Sequence, residues 1–257
     1  MKNRMIKVWG IVLTLAILAG LLVASVPVSA ANLAWTPNAI PSTTNNFLLD
    51  PASPVDGWVY AASADGSTIL AIDTTSTTNV LYKSIDGGVT FTTKNVGSGL
   101  PDSGITMLAI AADNTTAVAS TGTALYGSTN GGTSWSAISL PSLTGTITAV
   151  DVIAGPTIVI GTSDGEFAVF GVAGGPFSGG WNVRSDWQNV ALEGNAIIGI
   201  AFSPNYAADQ TIVLVHNDGA DKTYVSFAWY DQPVGTVYAD KLLEGSDVST
   251  SAIIAFP

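Results

Sequence analysis

The sequence predicts an all-β fold, a β-propeller of four-stranded antiparallel blades, and two observations support that prediction. First, residues 81–91 (LYKSIDGGVTF) return as residues 125–135 (LYGSTNGGTSW), so that Tyr82 and Tyr126 lie 44 positions apart. Self-similarity at a period of about 40–50 residues is typical of propellers and solenoids. Second, Val, Ile, Thr, Ser and Gly dominate residues 31–257, and no stretch there shows a sustained helical period. This composition predicts a structure rich in β-strands.

Each copy of the repeat holds the pattern Ser-x-[Asp/Asn]-Gly-Gly-x-[Ser/Thr]-aromatic. Asp-Gly and Asn-Gly favour a two-residue hairpin turn, because both turn positions need a positive φ. The Asp or Asn side chain can also accept hydrogen bonds from nearby backbone N–H groups, and the aromatic residue can begin the next strand within an apolar layer. The residues that we expect to form these two structural loops are Ser84, Asp86, Gly88, Thr90, Phe91, Ser128, Asn130, Gly132, Ser134 and Trp135.

This pattern resembles the Asp-box, or BNR repeat, of sialidases, xyloglucan-cleaving glycosidases, sortilin-type receptors and propeller-type photosystem II assembly factors. The first copy has Phe91 in place of the usual Trp, and the second has Asn130 for Asp and Ser134 for Thr. The resemblance implies that each loop joins the two outer strands of a blade and has a structural role. It implies a sialidase-like propeller fold much more directly than it implies any activity.

Within residues 31–257 the spacing predicts blades at about 55–99, 105–140, 146–190 and 196–245, with another beginning at 251. The strands predicted for the first blade are 58–62, 68–72, 80–84 and 90–95, and those for the second are 106–111, 116–120, 124–128 and 134–140. The strands predicted for the fourth blade include 197–202, 211–215 and 223–229. The third blade lacks the repeated loop, which a glycine-rich stretch at 174–180 replaces. Residues 254–256 (IAF) repeat residues 200–202, and 35–41 resembles 135–141, so we expect 35–41 to be an outer strand that helps to close a ring. We therefore expect a longer protein of roughly six to eight blades, with a ring of four or five as the alternative.

Residues 1–30 are predicted to be a secretory signal peptide. Lys2, Arg4 and Lys7 precede an apolar run at 8–26, and Val28-Ser29-Ala30 is a small-residue cleavage site. The alternative is a retained membrane anchor, since the run approaches the roughly 18–20 residues that a span needs. Cleavage predicts a protein that is secreted or held at the cell envelope, with no membrane insertion afterwards.

Charge and cysteine content speak against several classes of protein. The net charge of −11 becomes −14 without residues 1–30, which contain three basic residues and no acidic ones. Such a balance argues against binding to nucleic acid or to anionic lipid. The chain has no Cys, so no disulfide framework supports the exported fold, and its one His makes a zinc site a poor interpretation.

The candidates for catalysis are few. Resemblance to sialidases implies a clamp of three arginines on a carboxylate, but Arg184 is the only Arg after residue 30. Another glycosidase would need two carboxylates that face each other, and the sequence alone does not select a pair. The carboxylates considered are Asp151, Glu166, Asp186 and Glu193.

The single histidine, His216, could serve a catalytic triad or a metal site, but its place predicts a strand-end or turn residue. Residues 217–221 (NDGAD) offer oxygen ligands for calcium, although their spacing differs from an EF-hand loop and favours a solvated hairpin. No catalytic, cofactor-binding or metal-binding residue and no cofactor are therefore predicted.

These observations favour an exported, non-catalytic propeller that binds or scaffolds at the cell surface or envelope, with a protein or a glycan there as its partner. The composition resembles that of bacterial surface-layer-type proteins. One alternative is a xyloglucanase-like or sialidase-like glycoside hydrolase that needs residues beyond 257. Another is a protein-binding propeller of the photosystem II assembly factor type.

Overall fold

The computed structural model describes residues 58–74, 80–94, 99–171, 179–184, 196–217, 222–229, 238–242 and 250–256. All of them lie in one compact unit, Pro41–Pro257; a second unit, Met1–Ile40, lies outside the described residues. The predicted signal peptide at 1–30 and the predicted outer strand at 35–41 therefore lie outside them as well. The described residues form four separate four-stranded antiparallel sheets, each with its strands in sequence order, so the all-β propeller prediction is confirmed.

The strands of the first two blades lie close to the predicted ones. Blade 1 consists of β1 (Trp58–Ala62), β2 (Ile69–Asp73), β3 (Val80–Ser84) and β4 (Thr92–Lys94). Blade 2 consists of β5 (Met107–Ile110), β6 (Ala117–Ser120), β7 (Leu125–Ser128) and β8 (Ser136–Ile138). The outer strands β4 and β8 are shorter than expected, with only three residues each, which shortens the exposed edge of each sheet.

The third and fourth blades follow the same order. Blade 3 consists of β9 (Ile147–Ile153), β10 (Thr157–Thr162), β11 (Phe167–Gly171) and β12 (Gly180–Arg184). Blade 4 consists of β13 (Ile197–Phe202), β14 (Thr211–Asn217), β15 (Thr223–Trp229) and β16 (Tyr238–Leu242). A single-turn helix, α1 (Tyr206–Asp209), joins β13 to β14 and was not predicted, since one turn is too short to show a helical period.

The blades pack face to face around their inner strands. The first strand of each blade contacts the first strand of the next, so that β1, β5, β9 and β13 are successive neighbours. One buried cluster lies between each pair of blades, with Leu70 and Leu81 in the first, Ile158 and Phe170 in the second, and Ile212 and Leu214 in the third. Each sheet thus buries an apolar face against its neighbour, which is the packing of a propeller.

The predicted two-residue turn at Asp86-Gly87 is wrong. The β3–β4 ladder ends at the pair Lys83 and Thr92, and the left-handed residues are Gly87 and Gly88, with φ of 71° and 86°. The same holds at Gly131 and Gly132, with φ of 64° and 81°. The physical reason is that side-chain hydrogen bonds hold a longer loop closed, as described below.

Residues 250–256 form no strand, although the sequence predicts the start of a further blade there. They lie against blade 4, since Ala252 N donates to Ile198 O at 3.0 Å. Within the described parts of the chain, no helix has the length and apolarity needed to cross a membrane.

Candidate functional site

The first repeated loop, between β3 and β4, is closed by a serine hydroxyl and a carboxylate. Ser84 Oγ donates to Asp86 Oδ1 at 2.7 Å and accepts from Gly88 N at 2.8 Å. Asp86 Oδ1 also accepts from Thr90 N at 2.9 Å, while Thr90 Oγ1 donates to Asp86 Oδ2. The side chains of Ser84 and Asp86 therefore accept hydrogen bonds from loop N–H groups that have no partner in a neighbouring strand.

The second repeated loop, between β7 and β8, contains the equivalent bonds. Ser128 Oγ donates to Asn130 Oδ1 at 2.9 Å and accepts from Gly132 N at 2.9 Å, and Ser134 N donates to Asn130 Oδ1 at 2.8 Å. Asn130 Nδ2 donates to Ser134 Oγ at 2.7 Å, which reverses the donor relative to the first loop. Trp135 Nε1 donates to Gly132 O at 3.1 Å, and its ring is buried against blade 1. Both loops join the outer strands of their blades.

Each repeated loop is also bonded to the first turn of its own blade. Gly87 N donates to Ser67 O at 2.9 Å in blade 1, and Gly131 N donates to Thr115 O at 2.7 Å in blade 2. The two first turns are in turn bonded to each other, because Asn114 Nδ2 donates to Asp65 Oδ2 at 3.1 Å. Four loops from two blades thus form one connected surface, which we call the turn surface (residues 63–68, 84–91, 111–116 and 128–135).

Two aliphatic side chains stand exposed on this turn surface. Ile85 is 73% exposed and Val89 is 55% exposed, and they flank the Asp86-Gly87-Gly88 segment. The corresponding positions of the second loop are Thr129 and Thr133, which are also exposed. Because the second loop makes the same backbone bonds with threonines, the aliphatic side chains of the first loop are not needed to close it.

The carboxylates of the turn surface are ionised and held by hydrogen bonds. Donation from Thr90 and Ser84 lowers the pKa of Asp86 to about 2. Hydrogen bonds donated by Ser63, Ser67 and Asn114 likewise hold the pKa of Asp65 well below its usual value. Partial burial opposes ionisation of Asp113, but hydrogen bonds from Thr116 and Thr115 outweigh it and lower its pKa.

His216 lies inside blade 4 and is fully buried. It occupies the penultimate position of β14, where its Nε2 lies 2.7 Å from Ser226 Oγ and its Nδ1 lies 3.2 Å from Asn217 O. Its ring stacks on Tyr224 with centroids 5.7 Å apart. These contacts hold β14 and β15 together, so the strand-end interpretation fits this residue better than a catalytic one.

Two of the four carboxylates considered for a glycosidase are described, and they do not face each other. Asp151 lies opposite Val159, which lies opposite Val169, whereas Glu166 precedes β11 by one residue. Their backbones are separated by about 10 Å along the strands and about 10 Å across two strand spacings. Asp151 Oδ2 accepts from Phe202 N of blade 4, whereas a glycosidase needs two carboxyl groups that face each other about 5–9.5 Å apart. Glu166 instead accepts from Thr144 N at 2.7 Å.

Asp151 joins two blades through backbone groups. Its Oδ2 accepts from Phe202 N of blade 4 at 2.8 Å, and its Oδ1 accepts from Val152 N at 2.8 Å. Burial raises the pKa of Asp151 to about 6, outweighing these two hydrogen bonds. The sequence offered no signal for this contact, because it joins residues 51 positions apart.

The remaining candidates are only partly described. Asp186, Glu193 and residues 218–221 lie outside the described residues, and of Arg184 only the strand position in β12 is described. No group of three or more His, Cys, Asp and Glu side chains that could hold a metal ion occurs among the residues with a described position.

The sequence predicts a turn at Asp65-Gly66 but does not place it beside the repeated loop, although its pattern is similar. Ser63-Ala64-Asp65-Gly66 repeats the Ser-x-Asp-Gly start of the first loop. Ser63 Oγ donates to Asp65 Oδ1 at 2.7 Å, as Ser84 does to Asp86. The shared Ser-x-Asp-Gly pattern is therefore the sequence signal that relates this turn to the repeated loop.

Comparison with known proteins found no matching protein-family model and no matching curated protein. Solved structures do resemble the chain. YCF48 from Cyanidioschyzon merolae is 20% identical over 72% of this chain and 55% of that one, with a TM-score of 0.45. The GH74 xyloglucanase from Xanthomonas campestris is 17% identical over 66% of this chain and 28% of that one, with a TM-score of 0.47. TolB from Acinetobacter baumannii is 16% identical over 69% of this chain and 44% of that one, with a TM-score of 0.46.

This chain therefore spans little more than half of YCF48 and less than half of the other two proteins. Its assignment as a β-propeller protein rests on its own four sheets and on the way that their inner strands pack.

Proposed function

We propose that this protein is an exported, non-catalytic β-propeller that binds a protein partner at the cell surface or envelope through the turn surface. The observation that carries the proposal is the exposure of Ile85 and Val89 on a loop whose bonds do not require them. In the equivalent loop, Thr129 and Thr133 accompany the same backbone bonds. Aliphatic side chains that the fold does not use are available to a partner.

The rigidity of the turn surface supports the same proposal. Its four loops are held by side-chain bonds within each blade and by the Asp65–Asn114 bond between blades. A surface that is ordered before binding loses little conformational entropy when a partner docks. Its ionised carboxylates, Asp65, Asp86 and Asp113, favour a partner whose contact area carries positive charge.

We further infer that the two repeated loops are Asp-boxes with a structural role. Their serine and Asp or Asn side chains form hydrogen bonds within the loop. This supports a role in holding the surface in shape rather than in catalysis. A glycosidase built on a different pair of carboxylates is the competing function. Release of a chromophore from any of a panel of chromogenic glycosides by the purified protein would decide for it.

Export is part of the proposal and has a direct test. The protein should be expressed in its source cell or in a secreting host, and the N-terminus of the exported form should be determined by mass spectrometry. A mature chain that begins at Ala31 is expected. A form that retains residues 1–30 and sediments with membranes would show an anchor instead.

The binding proposal is tested with the double variant I85T/V89T, which gives the first loop the aliphatic-free character of the second. Fluorescently labelled wild-type protein is expected to bind envelope fractions of the source cell, and the double variant is expected to lose at least tenfold in affinity. Protease treatment of the envelopes should abolish binding, whereas survival of binding would indicate a glycan. The matched control T129S/T133S changes the second loop and should bind like wild type. Equal binding by I85T/V89T would contradict the proposal.

A further inference from the structure

One side of the blade 1 sheet carries three aromatic side chains. Tyr60 and Tyr82 are both register partners of Ala71, and Trp58 lies two residues before Tyr60 in β1. Register partners share a side of an antiparallel sheet and side chains alternate along a strand, so the three rings lie on one side. Leu70, which belongs to the cluster between blades 1 and 2, lies on the opposite side. We call the first side the aromatic face (Trp58, Tyr60, Ala71, Asp73 and Tyr82).

The three rings form an open platform. The rings of Trp58 and Tyr82 have centroids 5.6 Å apart and planes inclined by 41°. They come from the strands on either side of β2, so they meet above it and cover Ala71, which is buried. Tyr60 is 64% exposed. In blade 2, Leu108 takes the register position of Tyr60 and packs against the cluster between blades 1 and 2. Blade 1 therefore presents a ring to solvent where blade 2 has a packed aliphatic side chain.

A carboxylate lies on the same face as the rings. Asp73 is the register partner of Trp58. Partial burial, and then the negative charge of Asp73, raise the pKa of Tyr82, so this carboxylate lies close enough to act on the Tyr82 hydroxyl. Lys83 follows Tyr82 in β3 and extends the other way, toward Gly131 of blade 2. The aromatic face thus combines ring surfaces with a negative charge.

We propose that the aromatic face of blade 1 binds a quaternary ammonium group carried by a small soluble ligand. A cation within about 6 Å of the centroid of a Trp or Tyr ring is attracted to the ring face, and quaternary ammonium groups are recognised by clusters of such rings. Asp73 supplies the complementary charge, and the whole chain has a net charge of −11. Because a quaternary nitrogen has no N–H to donate, the ligand needs the field of Asp73 and the ring surfaces rather than a hydrogen-bond acceptor.

A pair of ligands that differ in charge tests the proposal. The purified protein is titrated at constant ionic strength with choline and, separately, with 3,3-dimethyl-1-butanol, in which a carbon atom replaces the charged nitrogen. The indole N–H signal of Trp58, identified by its loss in Trp58→Phe, is followed by NMR. We expect a saturable shift with choline and binding about tenfold weaker with the neutral compound. Equal binding of the two compounds, or no saturable shift with choline, would overturn the proposal.

Variants separate the contributions of the ring and the charge. Tyr60→Leu introduces the residue that blade 2 has at this register position, so the fold should be retained, and choline should bind about fivefold more weakly. Asp73→Asn should weaken choline binding about threefold without affecting the neutral compound. Asp102→Asn is the matched control, because it removes the same charge from an exposed position between β4 and β5 and should bind choline as wild type does. Wild-type affinity in either Tyr60→Leu or Asp73→Asn would contradict the site.

A second copy of the chain is the other occupant that an exposed apolar face could accept. Sedimentation velocity of wild type and Tyr60→Leu distinguishes this case from a ligand site. Both proteins are expected to sediment as the same species. A wild-type dimer that Tyr60→Leu dissociates would show that the aromatic face is an interface between copies, and the ligand proposal would fail.

Discussion

Ser128 Oγ accepts a hydrogen bond from Gly132 N at 2.9 Å, and in blade 1 Ser84 Oγ accepts the corresponding bond from Gly88 N at 2.8 Å. Both serines are buried at the end of a third strand, and both glycines have a positive φ. The sequence repeat thus places the same hydrogen bond in both blades. In each, a buried serine hydroxyl accepts from a loop N–H that is not paired with a neighbouring strand. The stability of this end of each blade depends on that replacement.

Replacing Ser128 by alanine should therefore destabilise the protein by about 1–3 kcal/mol, because Gly132 N loses its acceptor in a buried position. The free energy of unfolding from urea titration measures this change. Thr129→Ala is the control, since that side chain is exposed and its removal should cost less than about 0.5 kcal/mol. Equal stability of the two variants would contradict the role given to Ser128.

Gly132→Ala should be more damaging than Gly66→Ala. Both positions have a positive φ, 81° and 68°, so each alanine bears the left-handed penalty of about 1–2 kcal/mol. At Gly132 the new methyl would also lie 3.1 Å and 3.2 Å from the Leu70 Cδ atoms, whereas at Gly66 it would meet nothing within 4 Å. The difference between the two unfolding free energies isolates the packing between blades 1 and 2. A difference of zero would show that the Leu70 side chain rearranges around the new methyl group with no loss of stability.

Local patterns predicted most of the strands and did not predict contacts between distant residues. The strands Trp58–Ala62, Val80–Ser84, Ile197–Phe202 and Thr223–Trp229 have the predicted bounds, because turn residues and aliphatic alternation mark their ends. The turn geometry was predicted wrongly at Asp86, since Asp-Gly indicates a turn but not the side-chain bonds that lengthen it. The bond from Asn114 to Asp65 spans 49 positions, and nothing in either local pattern signals it.

The two repeated loops should respond to acid in opposite ways when their Asp and Asn are exchanged. The pKa of Asp86 is lowered from 3.8 to about 2 in the folded protein, so its contribution to stability is present above pH 4 and is lost as the pH falls through about 2. Asp86→Asn should therefore flatten the loss of stability between pH 4 and 2, and the loop should persist because Asn130 already makes the equivalent bonds.

The reciprocal variant, Asn130→Asp, should steepen the same loss, because Ser134 can rotate its hydroxyl and donate to the new carboxylate. Urea midpoints at pH 2, 3, 4 and 5 measure both slopes. Identical slopes for wild type and both variants would contradict the hydrogen-bond origin of the lowered pKa of Asp86.

Asp151 should make the protein less stable as the pH rises from 4 to 7. Its folded pKa of about 6 lies above the ordinary 3.8, so folding favours the protonated form. The contribution is full below about pH 4 and disappears as the pH passes 6, and the difference of about two pKa units corresponds to about 3 kcal/mol. Asp151→Asn removes the titration, so its unfolding free energy relative to that of wild type should rise by up to about 3 kcal/mol between pH 4 and pH 7.5.

Urea titrations of wild type and Asp151→Asn at pH 4, 5, 6 and 7.5 measure how the difference in unfolding free energy changes with pH. The carboxamide that Asp151→Asn introduces has one accepting oxygen for Phe202 N and Val152 N, whereas the hydroxyl oxygen of the protonated acid keeps a lone pair. The difference between the two proteins at pH 4 is therefore the reference from which the change with pH is measured. Asp86 does not interfere, because its transition lies near pH 2. A gap between the two proteins that stays constant from pH 4 to 7.5 would show that burial between blades 3 and 4 does not control the ionisation of Asp151.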